Sequence, residues 1–241
     1  MTYVISDIHG EYAKLRAVLS KVGLKPEDTL FVLGDVIDRG PDPIKCLQLL
    51  MAMPNAVCLA GNHEVMALDC LPFLLQEVTD ESVEQISQPQ VDQLLRWGVN
   101  GNSSTLDEFE LLGAEERQDI IDFIGEFLPY VQVEVQGQKY LLVHAGLGDF
   151  RPDRALDDYR LDELVWKRAD YSKPYFKDTI VVSGHTPTLV IDECSRPGYI
   201  FRTEGHIAID CGACFPGGRL GCICLDTGEE FYSDEQQAAG L

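Results

Sequence analysis

Four of the five histidines in the 241-residue chain, His9, His63, His144 and His185, each follow a short apolar run and stand beside glycine, a carboxylate or an amide. Their motifs are SDIHG at 6–10, GNHE at 61–64, HAG at 144–146 and GHTP at 184–187. A fifth polar cluster, GDVIDRG at 34–40, adds two aspartates and an arginine. Taken alone, that stretch is ordinary turn chemistry with a solvated Asp-Arg pair. A lone histidine after a strand is usually a hydrogen-bonded core residue, but four in such company point to a site. His206, at the start of an apolar run, reads as structural.

Imidazole nitrogen, carboxylate and amide oxygen make up the ligand set of divalent metals of intermediate hardness such as Mn, Fe, Zn and Co; Mg and Ca sites favour oxygen alone. No cysteine enters the cluster. The mixture suits a dinuclear hydrolytic centre, in which two ions about 3.5 to 4 Å apart activate one water. Such a centre needs a bridging carboxylate, and a mid-loop aspartate at the end of a central strand is well placed to be one.

The elements that position these residues alternate. Strands are expected at 3–5, 29–33 and 56–60, with helices at 11–22 and 41–53 between them, the first on the i, i+3, i+4, i+7 spacing of Leu15, Val18, Leu19 and Val22. Short connections imply one largely parallel sheet. Each strand ends in a polar cluster, and in open α/β sheets ligands gather at the carboxyl ends of strands. From 65 to 128 the chain turns acidic and helical, with helices expected around 65–76, 90–96 and 114–127 and a loop at WGVNGNSSTL, 97–106. This reads as a helical insert, either a packing layer or a cover over the substrate. Strands return at 130–135, 140–143, 179–182, 199–202, 206–210 and 219–225, the last two joined by a turn at Gly217-Gly218. The whole of 1–241 reads as one domain carrying that insert.

Forty acids against nineteen Lys and Arg give a formal charge of −21, which repels a nucleic-acid backbone. An anionic substrate is repelled too unless bound metals invert the local field, so the acidity is a reason to look for metals. No apolar run approaches a membrane span, and MTYVISDIHG lacks the basic and long apolar stretches of a secretory signal; a cytoplasmic protein is expected. The eight scattered cysteines suit reduced thiols. Cys211, Cys214, Cys222 and Cys224 invite a zinc reading, but the second pair is C-x-C on an apparent strand, which favours buried structural thiols.

SDIHG, GDVIDRG, GNHE, HAG and GHTP, in this order across residues 3 to about 190, resemble the signature of the calcineurin-like metallophosphoesterases. The DRG triplet and the Glu after GNH resemble the phosphoprotein phosphatase family within them. The resemblance implies an α/β fold of the metallophosphoesterase type, a four-layer α-β-β-α sandwich with two mixed sheets and a helical insert. It implies that Asp7 and His9 bind one metal and Asn62, His144 and His185 the other, with Asp35 bridging. His63 is then the general acid, oriented by Asp38, while Arg39 and, further on, Arg168 bind the substrate phosphate. Two divalent ions are implied, Mn first, with Fe or Zn as alternatives. Activated water attacks phosphorus directly, without a phosphoenzyme. Ser6 and Ile37 depart from the usual motifs away from ligand atoms, and Pro187 stands where phosphodiesterase branches commonly have another histidine, which favours the phosphatase branch.

The motifs and chain length lead to a serine/threonine protein phosphatase as the first reading, acting on phosphorylated protein. The alternative is a symmetrical diadenosine tetraphosphate hydrolase acting on a small nucleotide ester. A catalytically silent scaffold on the same fold ranks third, because the ligands, the acid and Arg39 are all in place. Nucleic acid and membrane are not expected as partners, and the sequence carries no sign of an oligomeric state.

Overall fold

The computed structural model describes residues 1–75 and 86–234. Two five-stranded mixed sheets form the centre. The first has the order β10-β9-β1-β2-β3, built from β1 (Thr2–Ile5), β2 (Thr29–Val32), β3 (Ala56–Cys58), β9 (Gly221–Cys224) and β10 (Glu230–Tyr232). The second has the order β4-β5-β6-β8-β7, from β4 (Tyr130–Val135), β5 (Gln138–Val143), β6 (Thr179–Ser183), β7 (Phe201–Arg202) and β8 (His206–Ala208). β1, β2 and β3 pair in parallel, as their short helical connections require.

Strand alternation builds the layers. Val4, Phe31, Leu142, Val182 and Ile223 point between the sheets and form the central core. Their neighbours Tyr3, Ile5, Leu30 and Val32 turn outward and pack with α1 (Tyr12–Val22), α2 (Pro43–Met51) and the helices beyond. On the far side, Leu141, Val143 and Val181 pack with Leu164 of the short helix α7 (Leu161–Val165). A side chain shifted by one residue would move from one layer to another, so the apolar pattern fixes the register.

The segment between β3 and β4 supplies α3 (Asn62–Leu74), α4 (Gln88–Val99), α5 (Ser103–Glu110) and α6 (Ala114–Gly125). The part of the expected insert at 76–85 lies outside the described residues, as does 235–241. Three points depart from the sequence reading. The expected loop at 97–106 is cut short at both ends, because α4 runs on to Val99 and Ser103 opens α5; Ser-Ser-Thr is turn chemistry by composition, yet Thr105 and Phe109 give α5 a buried side. The strands near 206–210 and 219–225 are not a hairpin, since β8 and β9 belong to different sheets and the Gly217-Gly218 segment crosses between them. β10 and α7 were not expected; each is only a few residues long. No helix among the described residues is long and apolar enough to cross a membrane.

Candidate active site

The carboxyl ends of β1, β2, β5 and β6 and the start of α3 converge, and each delivers part of the motif set. Asp7 and His9 follow β1; Asp35, Asp38 and Arg39 follow β2; Asn62 and His63 open α3; His144 and His185 follow β5 and β6. All are buried or half-buried except Arg39, which is exposed. Six of the eight non-glycine residues with positive φ among the described residues lie here: Asp7, His9, Asp35, Asp38, Arg39 and His185, at 45° to 70°. Left-handed backbone costs energy for such residues and persists only where surroundings enforce it.

Three observations show what enforces it. The loops after β1 and β2 are laced together, with the backbone N–H groups of Asp7, His9 and Gly10 donating to the carbonyls of Gly34, Asp35 and Val36 at 3.1, 2.9 and 2.8 Å. The fully buried Glu64 carboxylate accepts from the backbone of Asp35 and Val36, both at 2.8 Å, and of Gly61 at 3.0 Å, tying the second loop to α3. Finally, a methyl group on Gly34 or Gly61 would strike the other's loop backbone, and one on Gly184 would strike the Asp7 carboxylate.

The ligand atoms suit cations. His9 Nδ1 donates to the Ile37 carbonyl at 3.0 Å and His144 Nδ1 to the Leu33 carbonyl at 2.6 Å, so both Nε2 lone pairs turn into the cluster. His144 Nε2 then faces Asn62 Oδ1 at 3.1 Å and Asp35 Oδ1 at 3.5 Å, so in the neutral ring an acceptor meets two acceptors. A divalent ion satisfies such a meeting of lone pairs, and the donor set is one that divalent ions accept. Among the His, Cys, Asp and Glu side chains of the described residues, the groups with metal-compatible spacing are His9, Asp35 and His63 on one side and Asp35, His144 and His185 on the other, sharing Asp35. Asp7 lies beside them, its carboxylate accepting from Ser6 Oγ at 2.5 Å and from the backbone of His185 at 3.0 and 3.2 Å.

Charge crowding tells the same story. Burial, then the Asp7 and Glu64 carboxylates, push the Asp35 carboxyl well above the ordinary range, and burial raises Asp7. Burial, then the neighbouring His144 and Arg168, bring His185 down to about 3. Asp210, which sequence reading did not single out, is also fully buried nearby; burial and Asp7 raise its carboxyl, and its Oδ1 accepts from Gly212 N at 2.9 Å. Its loop is the crossover mistaken for a hairpin, which hid its approach to the site.

His63 Nδ1 lies 2.6 Å from Asp38 Oδ2, and His63 Nε2 receives a hydrogen bond from Arg39 Nη2 at 3.0 Å. Since guanidinium is a donor only, the ring proton sits on Nδ1 and the Nε2 lone pair faces Arg39, which lines the cavity. Asp38 is pushed up to about 7 by burial, against the opposing hydrogen bonds of Thr105 and Trp97. Arg39 Nη1 donates to His9 Nε2, also at 3.0 Å. Arg168 is exposed and stands on the edge of the same cavity of about 420 Å³, whose rim further includes Asn100, Trp166, Val190 and Phe215. Every sequence-predicted site residue except Asp38, His63 and His144 lines this cavity, and those three lie buried immediately behind it.

Cys211 and Cys222 are buried thiols whose pKa burial raises, Cys224 is buried in strand β9, and Cys214 is half-buried with its Sγ 3.9 Å from Arg39 Nη1. His206 is remote in function, its Nε2 meeting the Lys173 carbonyl at 3.2 Å between the rings of Tyr171 and Tyr175.

A family model described as calcineurin-like phosphoesterase matches residues 2–209. The chain is 35% identical over 235 residues to the symmetrical bis(5'-nucleosyl)-tetraphosphatase of Photorhabdus laumondii subsp. laumondii, across 95% of this chain and 72% of the relative. It is 30% identical over 173 residues to serine/threonine-protein phosphatase 2 of Salmonella typhimurium, across 69% of this chain and 67% of that one. Among solved structures, a candidate diadenosine tetraphosphatase superposes with a TM-score of 0.63 at 19% identity, covering 96% of this chain and 91% of its own. A serine/threonine phosphatase from Saccharomyces cerevisiae gives 0.54 at 16% identity, covering 98% and 81%. These two structural likenesses concern the fold.

Proposed function

The chain belongs to the calcineurin-like phosphoesterase family, and from that premise we propose that it is a metal-dependent hydrolase of dinucleoside polyphosphates. The likeness to symmetrical bis(5'-nucleosyl)-tetraphosphatases over nearly the whole chain carries this reading, which reverses the order of the two substrate classes drawn from the motifs. The cavity rim supports it. Phe215 and Val190 are 41% and 63% exposed at its edge. The Phe215 ring centre lies 5.7 Å from Arg39 Cζ, so a nucleobase has an apolar ring to stack on beside the group that takes its phosphates.

Asp7, His9 and Asp35 would hold one divalent ion and Asp35, Asn62, His144 and His185 the second. When bound, such ions lower the pKa of a water and neutralise charge on the phosphoryl oxygens. The rest belongs to the chain. Arg39 turns its planar fork from the two imidazoles to the incoming phosphate, and Arg168 meets the polyphosphate at the cavity edge. Burial, then the Arg39 charge, hold the pKa of the His63 imidazole down to about 2. Once Arg39 turns to the phosphate, the phosphate anion beside Nε2 favours uptake of a proton from solvent there, and Asp38 holds the resulting imidazolium by its Nδ1–H. His63 then gives the Nε2 proton to the oxygen that leaves phosphorus, a step typically worth 10²–10⁴-fold when the acid is well placed. For a symmetrical tetraphosphate, the leaving oxygen belongs to a nucleoside diphosphate.

The likeness to the Salmonella phosphatase keeps protein phosphatase as the second reading. Diadenosine tetraphosphate and a phosphoserine peptide, assayed side by side with Mn²⁺, separate the two. The expected outcome is release of two ADP per tetraphosphate with kcat/KM at least about tenfold above that for the peptide, a gap worth about 1.4 kcal/mol. A higher kcat/KM on the peptide would reverse the assignment.

A further inference from the structure

The Asp38 carboxylate has three hydrogen-bond donors, and only one of them is His63. Trp97 Nε1 donates to Oδ2 at 2.7 Å, the same oxygen that His63 approaches. Thr105 Oγ1 meets Oδ1 at 2.5 Å and also accepts from the Asp38 backbone N–H at 3.0 Å. Because the hydroxyl already accepts from that N–H, its single proton is directed at Oδ1; the indole N–H can only donate. Both carboxylate oxygens are therefore held as acceptors and the carboxylate plane cannot turn. Trp97 and Thr105 are 0% and 1% exposed, and both come from the helical segment, 59 and 67 residues after Asp38.

The turn between them serves the next residue. The Gly101 carbonyl accepts from Arg39 N at 2.9 Å, and the Asn100 carbonyl accepts from Arg39 Nε at 3.4 Å. Gly101 has φ +100°, and a side chain there would come within 3.1 Å of Arg39 Cγ. A helical layer that merely covered apolar surface would have no reason to place four hydrogen-bonding groups on two consecutive charged residues of the site.

We infer that the 97–105 segment is the positioning device of the proton donor: Trp97 and Thr105 fix the Asp38 carboxylate, and through it the tautomer and orientation of His63, while the Asn100 and Gly101 carbonyls aim Arg39. This rests on the reading of His63 as proton donor. Trp97 and Thr105 touch no substrate and act only through Asp38. The helical segment is then neither a cover nor a passive layer. It sets how well the leaving oxygen is protonated.

The test compares Thr105→Val, which is nearly isosteric, and Trp97→Phe, which keeps an aromatic ring of smaller volume; both remove the donor, and both are assayed on two substrates with Mn²⁺. Phenyl phosphate releases a phenol of pKa about 10, like the tyrosine side chain, and depends on the acid; p-nitrophenyl phosphate depends on it far less. Each variant is expected to lose about tenfold in kcat on phenyl phosphate and clearly less on p-nitrophenyl phosphate. Thr105→Ser, which restores the hydroxyl, recovers most of the loss. In a His63→Asn background neither variant causes a further loss, because their route runs through His63. Equal losses on both substrates, or the same fold-loss with His63 already removed, would reduce the segment to packing and overturn the proposal. If His63→Asn itself loses equally on both substrates, the proton-donor reading falls. The clamp is then decided by the ¹⁵N resonances of the His63 ring: a shift from the Nδ1–H tautomer in Trp97→Phe and Thr105→Val supports it, and an unchanged ring overturns it.

Discussion

Glu64 holds four backbone N–H groups with one carboxylate, those of Asp35, Val36, Ile37 and Gly61. An unsatisfied buried donor costs about 1–3 kcal/mol. Glu64→Ala is therefore expected to destabilise the fold by at least about 3 kcal/mol in urea denaturation, more than most single substitutions, and Glu64→Gln by less because one acceptor oxygen survives. At the rim the expectation is different. Phe215→Ala should leave stability nearly unchanged, raise KM for diadenosine tetraphosphate several-fold and spare KM for p-nitrophenyl phosphate, which steady-state kinetics on both substrates would read. The imidazoles and aspartates were legible in the sequence because each follows an apolar run that ends at one edge of a sheet. Phe215 and Asp210 were not, because their loop passes from one sheet to the other and no local pattern records where a crossover goes.

The elements divide in the same way. β1 to β6 announced themselves through apolar runs of strand length, and α1 and α2 through their spacing. α5 begins in Ser-Ser-Thr, whose side chains suit turns and caps, so only its packing beneath Asp38 makes it a helix. In the stretch after β5, the most enclosed ion pair joins Arg154 to Glu163. Arg154 donates to both oxygens of Glu163 at 2.9 and 2.7 Å, to the carbonyls of Gly148 and Asp158, and lies over the Tyr159 ring. The Arg154 hydrogen bonds, then the Arg160 backbone, depress the Glu163 carboxyl to about 2. A depressed carboxyl contributes stability that is fully present above its unfolded value, about 4.3, and is lost as pH falls toward 2. The stability gap between the wild type and Glu163→Gln should therefore be constant from pH 7 to about 5 and close below pH 4. Denaturation curves across that range would show it, and a gap that widens on acidification would contradict the pairing.

Across the whole molecule, −21 formal charges surround a centre in which Asp7, Asp35, Glu64 and Asp210 are all buried. Without cations that centre repels itself, so folding and metal binding are linked. Mn²⁺ at 100 times its dissociation constant should add about 2.7 kcal/mol of stability per site, visible as a higher Tm against a chelated sample. Asp35→Asn, which removes the shared carboxylate, should melt higher than wild type under chelation and gain little from Mn²⁺. A lower Tm in chelator would show that the carboxylate is not a source of repulsion. The close approaches at Gly34, Gly61 and Gly184 have a consequence of another kind. Where segments meet with no room for a methyl group, a substitution must displace its neighbours, whereas Asn100, Val190 and Phe215 border open space. Laboratory evolution toward a new phosphate ester thus has a small address: a library confined to the rim varies what is recognised and inherits the hydrolytic floor intact.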